Sequence, residues 1–219
     1  MKDLAVGIVQ PDLRWEDRSA NLERMEAMVR SLQESPDLVV LPEMFTTGFS
    51  MKPENLAETM EGPTLRWMAA LASELRVTVA GSLIVEEGGR FHNRLVWMPP
   101  DGIPQTYDKR HLFTLAGEHE HYTPGNHRLI AEIKGWRVNL NICYDLRFPI
   151  WSRQTPTPRK TAPEYDLLVY VANWPESRSH AWKTLLHARA IENQCYVVGV
   201  NRVGSDGHGI NHSGDSLVI

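Results

Sequence analysis

Little in this sequence points away from a plain folded globule. It holds only two cysteines, Cys143 and Cys195. Each sits in an apolar run of strand character, so no disulfide framework is expected and a reducing, cytoplasmic compartment is the simpler reading. The N-terminal apolar run, residues 4–9, is bounded by Asp3 and Pro11. It is too short for a signal-peptide core and far too short to span a bilayer. Positive charge is not in excess: 23 Lys and Arg stand against 27 Asp and Glu, a formal net charge of −4. The basic residues are scattered, which excludes an electrostatic footprint for nucleic acid and a polybasic lipid-binding stretch. There are no internal repeats and no coiled-coil heptads.

What is present is ordinary: 42% hydrophobic and 23% charged residues in a chain of 219. A chain of this length buries roughly 70% of the surface its unfolded form exposes, so its core needs no covalent staples. Apolar runs predict strands over 4–9, 37–41, 77–83, 91–98, 128–133, 136–142, 166–172 and 195–200, with 103–107 short and extended. Three-to-four spacing predicts helices over 21–32, 63–75 and 181–193. Residues 87–90 and Lys134-Gly135 read as hairpin turns, and the proline-bearing segment 153–164 as a surface excursion. A last strand is predicted over 213–219. No turn or polar tail follows it, so one or more C-terminal strands are expected to be missing. The polar stretch 108–127 shows neither period, and a loop of that length in a compact domain is usually functional or disordered. Strands with interspersed helices predict helix layers covering sheets.

Three reactive side chains stand immediately beside the apolar strands. Glu43 follows Pro42, which ends the 37–41 run; Lys109 follows 103–107; Cys143 follows 136–142. Strand ends are where a rigid scaffold holds reactive groups. A thiol near neutral pH is only a few per cent thiolate and needs help to attack. A carboxylate can take its proton, and an ammonium can stabilise the thiolate and then the oxyanion formed at an attacked carbonyl. The backbone N–H after the nucleophile, that of Tyr144, can supply a second oxyanion donor. Taken singly, each has a plainer reading: a core cysteine, a solvated glutamate, a surface lysine.

Their flanks change that. Leu41-Pro42-Glu43-Met44-Phe45, Tyr107-Asp108-Lys109-Arg110-His111-Leu112-Phe113 and Asn141-Ile142-Cys143-Tyr144-Asp145-Leu146-Arg147-Phe148-Pro149 resemble, in order, the three signature segments of the nitrilase superfamily of carbon–nitrogen hydrolases. Asn173-Trp174-Pro175 and Ala188-Arg189-Ala190-Ile191-Glu192-Asn193 look like its later segments, and the resemblance runs from Leu4 to the last residue. It implies an α/β fold, a four-layer α-β-β-α sandwich, with residues 1–219 forming one domain. By the same resemblance Glu43 would be the general base, Cys143 the nucleophile and Lys109 the oxyanion stabiliser. A second glutamate near the lysine is implied, for which Glu118 is favoured over Glu120. No metal and no organic cofactor are implied, and homodimers or larger homo-oligomers are.

Within the superfamily the segments look closest to the omega-amidase group, which implies hydrolysis by water of a small dicarboxylate monoamide such as 2-oxoglutaramate. Such a substrate carries a free carboxylate. Arg147, four residues past the nucleophile, is a candidate to meet it; an ion pair with Asp145 or another carboxylate is the alternative. Trp174 and Phe45 are candidate cavity walls, or plain core. Other carbon–nitrogen substrates (a nitrile, a carbamoyl or an N-acyl compound) keep the same residues, and a non-catalytic binding protein retaining the fold is a further alternative.

Three other signals carry less. Gly214-Asp215-Ser216-Leu217 spells the signature of an esterase family in which the serine opens the chain, whereas here nothing follows to supply a base. His111, His119, His121 and His127 lack a metal-ligand spacing. His187 and Asn193 belong to a regular helical pattern without the local signatures of a thiol protease.

Overall fold

A computed structural model describes residues 2–33, 35–155 and 162–219. Twelve strands form two five-stranded sheets and one small hairpin among these residues. The first sheet has the order β1 (Val6–Ile8), β2 (Leu38–Val40), β3 (Thr78–Glu87), β4 (Arg90–Met98), β5 (Gln105–Asp108). The second runs β12 (Leu217–Val218), β9 (Tyr196–Val200), β8 (Leu167–Val171), β7 (Trp136–Ile142), β6 (Leu129–Ile133). The hairpin pairs β10 (Val203–Ser205) with β11 (Asn211–Ser213). Helices α1 (Arg18–Arg30), α2 (Pro63–Leu75) and α3 (Ser179–Asn193) are the long ones.

Strand alternation builds the layers, because successive side chains point to opposite faces. On β2, Leu38 and Val40 pack into a central core with Val138, Leu140, Leu167 and Val169 of the other sheet. Val39 and Leu41 face the opposite way, onto Met25 and Val29 of α1 and Leu65, Met68 and Leu71 of α2. Likewise Leu168 and Tyr170 leave the central core to meet Trp182 and Leu186 of α3. The result is the four-layer α-β-β-α sandwich, with the sheets inside and the helices outside. No helix among the described residues is long and apolar enough to cross a membrane.

Strand direction decides where the chemistry gathers. β1, β2 and β3 are parallel, as are β7, β8 and β9. β4 is antiparallel to both β3 and β5, so β5 runs with β3. Glu43, Lys109, Cys143 and Asn173 therefore all lie just past the C-terminal ends of their strands, where open α/β sheets present their crevices.

The elements differ from expectation where local hydrogen bonding overrides hydrophobic period. Helix α1 begins three residues early because the Asp17 carboxylate accepts from the Ala20 amide at 3.1 Å and caps it. β3 continues to Glu87, and only Gly88 and Gly89, both at positive φ, make the turn. The single strand predicted over 213–219 is two. Gly214 (φ 76°) and Asp215 (φ 58°) break it, and the Asp215 carboxylate accepts from Ser179 Oγ at 2.7 Å and Ser213 Oγ at 2.6 Å. The 108–127 stretch contains two short helical turns, Thr114–Ala116 and Glu118–His121. Of the predicted excursion at 153–164, residues 156–161 lie outside the described residues.

Gly81 is where β3 touches the turn that carries Glu43. A Cβ there would lie 2.9 Å from both Leu41 Cβ and Phe45 Cδ1. Gly81→Ala is expected to cost about 1–3 kcal/mol by overpacking, read as a lower urea midpoint at unchanged m-value.

Candidate active site

The turn after β2 is fixed before any catalytic question arises. Met44 is left-handed (φ 42°), its amide donates to Ser82 Oγ at 2.9 Å and the Phe45 amide donates to Ser82 O at 3.0 Å. Asn21 of α1 donates to the Thr46 carbonyl at 2.8 Å, tying the outer helix to the same turn. This reversal sends Glu43 and Phe45 in different directions. Glu43 lines a cleft. Phe45 is fully buried in the outer core against Trp67, with ring centroids 6.1 Å apart. As a candidate cavity wall Phe45 is corrected: it does not line the cleft, and it packs over Gly81 instead.

Lys109 and Glu118 meet Glu43 in a closed cluster. Lys109 Nζ donates to Glu43 Oε1 at 2.8 Å and to the Glu118 oxygens at 2.9 and 3.0 Å, with all three side chains buried. Asn93 Nδ2 bridges the carboxylates, donating to Glu43 Oε1 at 2.8 Å and Glu118 Oε1 at 3.2 Å. Its Oδ1 is held by Ser82 Oγ at 2.8 Å, which fixes the amide's orientation. Glu43 Oε2 accepts from the Asn173 amide at 2.8 Å, and Glu118 Oε2 from the Phe113 amide at 2.5 Å. Glu120 is exposed and stays outside the cluster. Burial would discharge Lys109, but the Glu118 and Glu43 charges outweigh it and hold its pKa above the ordinary lysine value. Burial, together with the Glu43 charge, pushes Glu118 above the usual carboxylate range despite the neighbouring ammonium.

Cys143 follows β7 in the left-handed region (φ 44°), a conformation that costs a non-glycine residue of order 1–3 kcal/mol and is held only by its surroundings. Asp145 does the holding. Its buried carboxylate accepts from the Ile142 amide at 3.0 Å, Tyr107 Oη at 2.7 Å, and the His111 amide and Nδ1 at 2.9 and 2.8 Å. The elbow is thereby tied to the same segment that carries Lys109. Burial raises the Cys143 pKa, the Glu43 charge raises it further, and Lys109 pulls the other way without prevailing. The Tyr144 amide opens the turn Cys143–Arg147, where the first N–H groups have no intrahelical acceptor.

The cleft is lined by Glu43, Cys143 and Asn173, by the aromatic rings of Phe49, Phe113, Tyr144 and Trp174, and by Arg147 and Arg178, with Asp206, Ile210 and His212 completing the wall. The Arg147 guanidinium lies 5.2 Å over the Trp174 ring, and Arg178 lies 5.2 Å over Phe113. Neither makes an ion pair among the described residues, and Asp145 is committed to the elbow. Trp174 is both wall and core: it is 3% exposed, donates Nε1 to the Arg178 carbonyl at 2.9 Å and packs on Trp182. Asn93, Arg178 and His212 were not singled out from sequence. Asn93 left little trace there, because it is one of three consecutive polar residues, His92, Asn93 and Arg94, near the start of the predicted strand. The other two reach the cleft only through tertiary folding. No group of three or more His, Cys, Asp or Glu side chains placed to hold a metal occurs among the described residues.

The carbon-nitrogen hydrolase family model matches residues 5–219. The omega-amidase YafV of Escherichia coli K12 is 45% identical over 219 residues, covering 100% of this chain and 82% of the relative. The 2-oxoglutaramate amidase of Bacillus subtilis is 33% identical over 217 residues, covering 98% and 82%. Among solved structures, a CN-hydrolase superfamily protein from Xanthomonas campestris with an arsenic adduct in its active site superposes with a TM-score of 0.97 at 47% identity, covering 100% of this chain and 83% of that one.

Because Glu43 raises the thiol pKa, Glu43→Gln should lower it. Alkylation tracks the thiolate, so the rate–pH curve for iodoacetamide at Cys143 is expected to move to lower pH in this variant while amide hydrolysis falls. A curve that stays put, or moves upward, would contradict the electrostatic account.

Proposed function

This chain belongs to the carbon–nitrogen hydrolase family, and from that premise we propose that it is an omega-amidase, hydrolysing a small dicarboxylate monoamide of the 2-oxoglutaramate kind to the carboxylate and ammonia. The observation that carries the reading is that Glu43, which lines the cleft together with Cys143, is paired to Lys109, itself held by Glu118 behind it. The likeness over the full chain to the omega-amidase and the 2-oxoglutaramate amidase supports the substrate class.

In the proposed reaction the Cys143 thiol gives its proton to Glu43 as sulfur attacks the amide carbon. Negative charge develops on the carbonyl oxygen, which Lys109 Nζ and the Tyr144 amide stabilise. The C–N bond breaks as the nitrogen takes the proton from Glu43 and leaves as ammonia. Water then gives a proton to Glu43 and attacks the thioester. The C–S bond breaks, and the thiolate recovers that proton. Glu118 orients Lys109, and the free carboxylate of the substrate meets Arg147, with Arg178 as a second cation on the same cleft. The aromatic walls exclude water and so strengthen these contacts. Assembly into homo-oligomers is part of the same reading, and exposed Ile150 and Ile191, at 80% and 77% exposure, offer apolar surface for it.

Purified protein is expected to release ammonia from succinamate and 2-oxoglutaramate, and to form hydroxamate when hydroxylamine is added; Cys143→Ala should abolish both. Turnover of nitriles with no action on these amides would overturn the reading. Lys109→Met should cost on the order of 10²–10³ in kcat. Arg147→Gln should raise KM for succinamate about tenfold while leaving that for the uncharged propionamide unchanged, since only the charge-assisted contact is lost.

A further inference from the structure

A primary amide enclosed beside Cys143 brings a carbonyl oxygen that needs donors and an –NH2 group that needs acceptors. Lys109 and the Tyr144 amide serve the oxygen. Acceptors are scarcer. Glu43 Oε1 already accepts from Asn93 and Lys109, and Oε2 from the Asn173 amide. Both Glu118 oxygens are turned to Lys109, with Asn93 and the Phe113 amide also donating to them.

Asn173 is different. The residue lines the cleft together with Cys143 and Glu43, yet it is only 6% exposed. Its Nδ2 donates to the Glu43 carbonyl, which settles which end of the side-chain amide is left over. That remaining atom, Oδ1, is buried and has no hydrogen-bond partner among the described residues. Leaving a buried acceptor unmade costs about 1–3 kcal/mol, so a group that satisfies it gains that much back.

We infer that Asn173 Oδ1 accepts an N–H of the scissile primary amide, which makes Asn173 a specificity-determining residue for amides over esters and nitriles. The inference rests on the amidase reading above. An ester brings an alkoxy oxygen to the same place and a nitrile brings a nitrogen lone pair. Neither has an N–H, so each sets a lone pair against Oδ1 and leaves the buried acceptor unpaired. Discrimination of this kind exceeds what shape alone supplies, because the wrong substrate strands a buried polar group. The same contact stays on the nitrogen as it gains hydrogen and departs as ammonia.

The test compares kcat/KM for succinamate and for monomethyl succinate in the wild type, Asn173→Ala and Asn173→Asp. Both substrates carry the same carboxylate and form the same Cys143 thioester, so any effect of Asn173 through the Glu43 backbone falls on both. Asn173→Ala is expected to lose about tenfold more on the amide than on the ester, the worth of one buried hydrogen bond. Asn173→Asp keeps an acceptor oxygen but gives up the Nδ2 donor. It should lose rate on both substrates while holding the amide-to-ester ratio within about threefold of wild type, a small part of one hydrogen bond. Equal losses on both substrates in Asn173→Ala, with an active wild type, overturn the inference alone. Circular dichroism checks the fold of each variant. If Asn173→Ala does not fold, Asn173→Asp decides: a maintained ratio supports the inference and a collapsed one overturns it. Wild-type protein that ignores succinamate would sink the amidase reading and the inference with it.

Discussion

The ammonium of Lys109, buried between two carboxylates, is the constraint on which the rest of the structure depends. Taking an ion out of water costs several kcal/mol even after relaxation, and removing one partner leaves the others uncompensated. The buried ammonium and its two carboxyl partners are accommodated here because the hydrogen bonds around them are filled: Lys109 reaches both carboxyl groups at 2.8 to 3.0 Å, Asn93 bridges them, and the Asn173 and Phe113 amides close the remaining positions. These groups come from β4, from the turns after β2, β5 and β8, from Phe113 before the turn Thr114–Ala116, and from the first residue of the short helix Glu118–His121. None can shift without stranding a charge. The register of β4 is a clear case. Asn93 pairs with Ile84 across the hairpin, and a slip of one residue would turn Asn93 to the opposite face of the sheet.

How much of this was legible beforehand depends on what kind of physics fixed each part. The layers were legible, because period-two apolar runs and three-to-four helical spacing are written residue by residue, with Pro42, Pro63 and Gly135 punctuating them. Glu43, Lys109 and Cys143 were legible as reactive groups at strand ends, and their flanks tied them into one set. The direction of Phe45 was not. The sequence left Phe45 as either a cavity wall or plain core, and the left-handed Met44 turns it into the core. Asp145 stood in plain sight two residues after the nucleophile, but as a suspected partner for Arg147. Its actual partners, Ile142, Tyr107 and His111, include two that lie more than thirty residues away in sequence. Arg178 and His212 reach the cleft through the folding of separate segments, and no local pattern announces such a meeting.

The electrostatics follow from the count of charges. One ammonium faces two carboxylates, so the cluster already carries surplus negative charge when both are ionised. Burial and that surplus together explain why Cys143 is held as the thiol and why Glu118 is pushed above the usual carboxylate range. In the proposed reaction the proton passes from Cys143 to Glu43 while negative charge passes to the carbonyl oxygen. The number of charges near Lys109 then stays the same and only their position changes. The donors are already in place for the oxyanion, so little reorganisation accompanies the step.

The same accounting separates two parts of the cleft. Around Cys143 the geometry is over-determined: a strained left-handed residue is held by a carboxylate with four donors on it, and the neighbouring ions are fully bonded. Arg147 and Arg178 are held more loosely, each resting on one aromatic face and free of any carboxylate partner among the described residues. A long cationic side chain on an aromatic surface adjusts at a cost of about 0.5–2 kcal/mol, far below that of moving a buried ion. Bond cleavage is therefore tied to the rigid part and recognition of the rest of the substrate to the adjustable part. Substitutions among the aromatic and arginine residues can change which amide fits without disturbing the Lys109 cluster. Chains that share the cluster can then share one reaction while differing in substrate.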